Sequence, residues 1–169
     1  MSELIHILTS AITGLAVKIE RWRMSENALY STAVSFIGRD ASPADIAPDA
    51  YGCMETVSRI LQKAYPELRF PTILSTREGL AYFQKSPSFM ELSEPVYGCI
   101  IISATGTGNG SVSNGHVGIV GKNTSPDGSV WVMSNSSMTG TWEVNFTLNS
   151  WKRYFQNRGG MSVHYFLVS

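Results

Sequence analysis

The hydrophobic period of this chain changes once along its length, and that change limits the fold more than any other feature. Up to Pro66, apolar residues recur at helical spacing. Leu4, Ile5, Leu8, Ile12, Leu15 and Ile19 mark a first amphipathic helix. Leu29, Ala33, Phe36 and Ile37 mark a second, with Ser25 placed as its N-cap and Gly38 as its stop. Val57, Ile60, Leu61 and Ala64 mark a third, which Pro66 closes. Between the second and third helices, residues 39–50 hold Pro43, Pro48 and three aspartates and read as an ordered loop. From Gly98 onward the apolar runs are short and strand-like, at 100–103, 117–120, 130–133 and 163–168. A Gly/Ser/Asn-rich loop fills 104–115, turns fall at Pro126-Asp127-Gly128 and Gly159-Gly160, and a short helix is expected over 151–155. Helices first and strands afterwards predict an α+β fold, with N-terminal helices packed on a small antiparallel β-sheet.

The length of 169 residues suits one domain, read here as 25–169, with the helix of 1–24 as an additional element. Lys and Arg together number 13, as do Asp and Glu, so no net field recruits nucleic acid or an anionic membrane. No run of about 18 apolar residues offers a bilayer span. The first residues lack the charged and apolar regions of a signal peptide, which predicts synthesis in the cytoplasm. Two cysteines make one bridge at most, so reduced thiols, one of them reactive, are expected.

Cys53 stands at the start of the third helix, where unpaired N–H groups and the helix dipole favour thiolate, the nucleophilic form. Gly52 clears space for a substrate carbonyl, and the Cys53 N–H is placed to help hold an oxyanion. A small buried core residue is the competing reading of this cysteine. His116 lies in Asn114-Gly115-His116-Val117-Gly118, where a polar loop runs into a strand; that junction suits a base held rigidly yet within reach. A base of this kind is oriented through its other nitrogen, and the strand 130–133 ends in Ser134-Asn135-Ser136-Ser137. Asn135 is the expected orienting group, with Ser134 behind it, although the same four residues also suit a turn. Cys99 leads into Ile100-Ile101-Ile102 and reads as structural. Cys53 and His116 could also ligate a metal with Asp49 or Asp127, but HExxH, CxxC and paired-His spacings are lacking. Asp40, Asp45 and Asp49 offer oxygen ligands to Ca²⁺, for which a solvated loop is the simpler account.

Taken in order, Asp49-Ala50-Tyr51-Gly52-Cys53-Met54-Glu55-Thr56-Val57, Gly115-His116-Val117-Gly118-Ile119-Val120 and Ser134-Asn135 resemble the cysteine, histidine-dependent amidohydrolase/peptidase (CHAP) domains. These belong to the NlpC-like, papain-fold superfamily common in phage and bacterial wall lysins. Pro95–Ile102 resembles the strand before the histidine hairpin there, with Cys99 where an Asp is usual, and Met133 stands where an acidic residue often helps the histidine. The resemblance implies a papain-like fold over about residue 28 to the C-terminus. It implies attack by Cys53 on an amide of the peptidoglycan peptide, proton transfer by His116, and orientation by Asn135. Tyr51, Gly52 and Ser134 are then expected around the oxyanion and substrate. The implied protein is a bacteriolytic peptidoglycan hydrolase, amidase or endopeptidase, working as a monomer without a cofactor. A phage particle or secretion partner delivers it to the wall, because the sequence shows no leader. A catalytically inactive phage structural or adaptor protein of the same fold is the alternative.

Overall fold

The computed structural model describes residues 28–40, 42, 48 and 51–169. The helix expected at 1–24, its Ser25 neighbour, Asp45 and Asp49 lie outside the described residues. The second helix (α1) runs over 28–36 and buries Leu29, Ala33 and Phe36, while Ile37 at its end is exposed. Gly38 follows at φ +78°, a left-handed stop that costs glycine nothing. The third helix (α2) spans Cys53–Ala64. Met54, Val57, Ile60 and Leu61 lie fully buried along it. Burying aliphatic side chains of this size stabilises by about 1.5–3 kcal/mol each, so packing rather than propensity holds this helix. Tyr65, at ψ 69°, breaks the helix before Pro66.

Six strands form one antiparallel sheet: β1 (Phe89–Leu92), β2 (Ile100–Ser103), β3 (His116–Thr124), β4 (Val130–Asn135), β5 (Trp142–Thr147) and β6 (His164–Val168), in the order β1-β6-β2-β3-β4-β5. The α+β expectation therefore holds. Strand residues alternate between two cores. Ile100, Ile102, Val117, Ile119 and Phe166 face α1, α2 and a further helix, α3 (Thr76–Lys85). Cys99, Ile101, Val120, Val132 and Leu167 face the opposite side, closed by Trp151, Phe155 and Met161. Burial on both faces explains why β2 reads as an unbroken isoleucine run instead of an alternating one.

Trp151 and Phe155 belong to a helical segment longer than the sequence pattern suggests. Thr147 and Ser150 form a capping box at the start of α4 (Leu148–Trp151), which continues as a π-helical segment over Lys152–Arg158. Three elements escaped the periodicity: α3, β1 and β5. In α3 only Thr76, Gly79, Leu80 and Phe83 are buried, too few to draw an apolar stripe. The edge strand β1 shows one buried residue in four. In β5 a bulge breaks the alternation, with consequences for the site.

Candidate active site

A groove of about 600 Å³ opens at the end of the sheet where β3 begins, and both Cys53 and His116 line it. Gly52 serves as N-cap of α2 without a side-chain hydrogen bond to the helix. The first-turn N–H groups are thus left to the thiol, and those of Cys53 and Met54 approach the sulfur. The Val117 N–H, one residue beyond His116, does the same and ties α2 to β3. Burial nevertheless dominates. Cys53 is 7% exposed, and desolvation lifts its thiol to about 11 against the pull of these donors.

His116 is half-buried in an aromatic wall. Its ring lies 5.3 Å from Trp151, 5.6 Å from Phe146 and 5.7 Å from Phe155, stacked nearly parallel on the last. Desolvation lowers the imidazole to about 4, offset in part by the Asn135 backbone carbonyl, which favours the protonated ring. The groove therefore holds a neutral thiol and a neutral imidazole near pH 7.

The hydrogen bonds around the ring fix its tautomer. Asn145 Nδ2 donates to the Asn135 carbonyl at 3.2 Å. A carbonyl only accepts, so the other side of that amide is Oδ1, and Ser134 Oγ donates to it at 2.7 Å. Ser134 has one proton to give. Its contact with His116 Nε2, at 2.9 Å, must then be one in which Nε2–H donates to Ser134. This leaves Nδ1 with the free lone pair, as the basic nitrogen.

Ser134, the residue expected behind Asn135, is thus the side chain that hydrogen-bonds the His116 ring. Successive strand residues point to opposite faces, and Ser134 is the one on the His116 side. Its hydroxyl is engaged by His116 and Asn145. Asn135 lines the groove and reaches the imidazole through its backbone carbonyl. Tyr51 stands 58% exposed on the rim. Cys99 is fully buried in the core on the far side of the sheet from α2 and has no part in the groove. Asp40 accepts from the Ser42 backbone N–H, and among the described residues no group of three or more His, Cys, Asp or Glu side chains gathers to hold a metal.

Asn145 was missed because the β4–β5 register skips it. Val132 pairs with Phe146 and Met133 with Val144, so Asn145 is the extra residue of a bulge. Strict alternation would set Trp142, Val144 and Phe146 on one face. The bulge instead leaves Trp142 in the α2 core and turns Phe146 and Asn145 toward His116. On the opposite wall Gly115 N donates to Thr105 Oγ1 at 2.8 Å, and Thr76 Oγ1 accepts from the Thr105 N–H at 3.0 Å. These bonds pin both ends of the 104–115 loop to the start of α3. Gly115 is required there, since a Cβ would overlap the Ser103 carbonyl oxygen and the Thr105 amide.

Compared with family models, curated proteins and solved structures, the chain matches none.

Proposed function

We propose that this protein is a papain-like, NlpC/CHAP-type cysteine hydrolase that cuts an amide bond of peptidoglycan. One observation carries the reading: a thiol at the uncapped N-terminus of a buried helix shares a groove with a histidine whose tautomer Ser134 and Asn145 fix. A merely structural histidine has no need of a two-residue relay that presents one basic nitrogen.

The reaction starts from the neutral pair. Nδ1 of His116 takes the thiol proton as Cys53 Sγ attacks the amide carbonyl carbon. The oxyanion is met by the free N–H end of α2, with the Tyr51 hydroxyl at the rim as a second donor. The C–N bond then breaks, the imidazolium protonates the departing amine, and a thioester remains on Cys53. Water, deprotonated by His116, cleaves the thioester and restores the thiol. The imidazolium exists only between these steps, when Ser134 Oγ at Nε2 and the Asn135 carbonyl stabilise it. Among the described residues no helix is long and apolar enough to cross a membrane, and delivery to the wall is proposed to rest with a phage particle or secretion partner.

The test is release of amino groups from purified peptidoglycan. Wild-type protein is expected to release them, and Cys53→Ala to release none while unfolding at a similar denaturant concentration. A wild-type protein without activity on wall would favour the inactive structural role instead.

A further inference from the structure

A second histidine is held at both ring nitrogens, away from the groove. His164 opens β6. Ser162 lies two residues earlier, the spacing that puts side chains on one face of an extended chain, and its Oγ stands 2.8 Å from His164 Nε2. The third group comes from the neighbouring strand. β1 pairs with β6 so that Glu91 stands opposite Phe166. His164 is then a diagonal neighbour, and the long carboxylate side chain reaches its Nδ1 at 2.5 Å. Ser162 and Glu91 are exposed, and the ring between them is half-buried and stacked on Phe166. None of the three lines the groove that holds Cys53.

The contacts give the order of donors. An ionised carboxylate only accepts, so Nδ1–H donates to Glu91. In the neutral ring Nε2 then carries the lone pair, and the Ser162 hydroxyl donates to it. Hydroxyl, imidazole and carboxylate thus stand in the order that activates a serine: a base within reach of its proton, itself oriented by a third group. Holding the edge strand does not call for this arrangement. β1 is already paired with β6 over four residues, an exposed ion pair adds little stability, and a latch between strands has no use for Ser162.

We propose that Ser162, His164 and Glu91 form a second, serine-based site that hydrolyses small carboxylic esters. Ser162 Oγ attacks the ester carbonyl carbon as its proton passes to Nε2, and Glu91 holds the imidazolium through Nδ1–H. The C–O bond to the alcohol breaks, and the departing oxygen takes the proton from Nε2. The acyl group remains as an ester on Ser162. Water then attacks it and gives a proton to Nε2; the carboxylic acid leaves, and Ser162 Oγ recovers the proton. Because Ser162 is open to solvent, water holds the oxyanion, less effectively than preorganised N–H groups would. The site therefore takes esters whose alcohols depart readily and leaves amides to Cys53.

The experiment follows hydrolysis of para-nitrophenyl acetate by the Cys53→Ala protein, which lacks the thiol of the groove. Saturable turnover is expected. Adding Ser162→Ala should lower kcat/KM at least about 100-fold without changing the unfolding temperature, and Glu91→Gln should lower kcat about tenfold with KM little changed. A fluorophosphonate probe should label Ser162 on peptide mapping. Turnover within twofold in Ser162→Ala, no turnover above buffer, or probe on another residue would overturn the proposal. So would a Glu91→Gln protein that loses stability but keeps its kcat, which would make the pair a strand latch. With Cys53 intact, Ser162→Ala should release amino groups from wall at the wild-type rate; a matching loss there would overturn the separation of the two sites.

Discussion

Ser134→Ala separates an imidazole that is held for catalysis from one that is simply buried. Ser134 is fully buried and links His116 Nε2, at 2.9 Å, to Asn145 Oδ1, at 2.7 Å. Removing the hydroxyl deprives both atoms of a partner, at about 1–3 kcal/mol for each buried group left unmet. A loss of roughly 2–6 kcal/mol in urea unfolding is therefore expected. The kinetic effect comes from the tautomer. Without Ser134 to accept from Nε2–H, the ring's proton is free to sit on Nδ1, the nitrogen that has to receive the thiol proton. By analogy with groups that orient a working histidine, kcat should fall about 10–100-fold, with KM little changed. Asn145→Ala should show a smaller loss of the same kind. The double variant should fall short of the sum, because both act through one chain of hydrogen bonds. Amine release measured well below the unfolding transition gives the rates. A Ser134→Ala protein that is folded and within twofold of wild-type kcat would refute the relay.

Acid should destabilise the protein through His116. Its folded pKa of about 4 lies below the unfolded 6.5, so the unfolded state binds more protons between these values and stability falls as pH drops through that window. The ceiling is about 3 kcal/mol, and His116→Gln should flatten that part of the curve of unfolding free energy against pH. At the alkaline end the sign reverses. Cys53 is raised from 9.0 to about 11, its stabilisation is complete below 9, and it is lost as pH climbs toward 11, which Cys53→Ala should abolish. Gly115→Ala should cost about 1–3 kcal/mol in thermal unfolding and lower kcat, because its Cβ pushes on Ser103 and Thr105 beside His116. Cys99→Ala should keep full activity with a stability loss of about 1–2 kcal/mol for a small core truncation; inactivation would reverse the roles of the two cysteines.

Much of the fold was legible because burial imposes periodicity. The apolar face of α2 and the run Ile100–Ser103 are set by contact with the core, and both stand where the sequence pattern puts them. Where an element buries little, as in β1, the sequence carries no such mark. The places of Cys53 and His116 in the fold were legible for a different reason, since a thiol at a helix start and a histidine at a loop–strand junction are local features. The groups that hold His116 are not local. Ser134 and Asn145 meet only because a bulge in β5 turns Asn145 toward the ring, and a one-residue offset in register carries no compositional signal.

A thioester on the Cys53 sulfur is the most direct sign that this residue is the nucleophile. Wild-type protein, mixed with wall fragments and quenched in acid during turnover, should yield on peptide mapping a Cys53 peptide heavier by the acyl part of the substrate. The adduct should disappear on hydroxylamine treatment, accumulate less in Ser134→Ala and be absent from Cys53→Ala. Acyl mass on any other residue, or wall cleavage that persists in Cys53→Ala, would contradict the account.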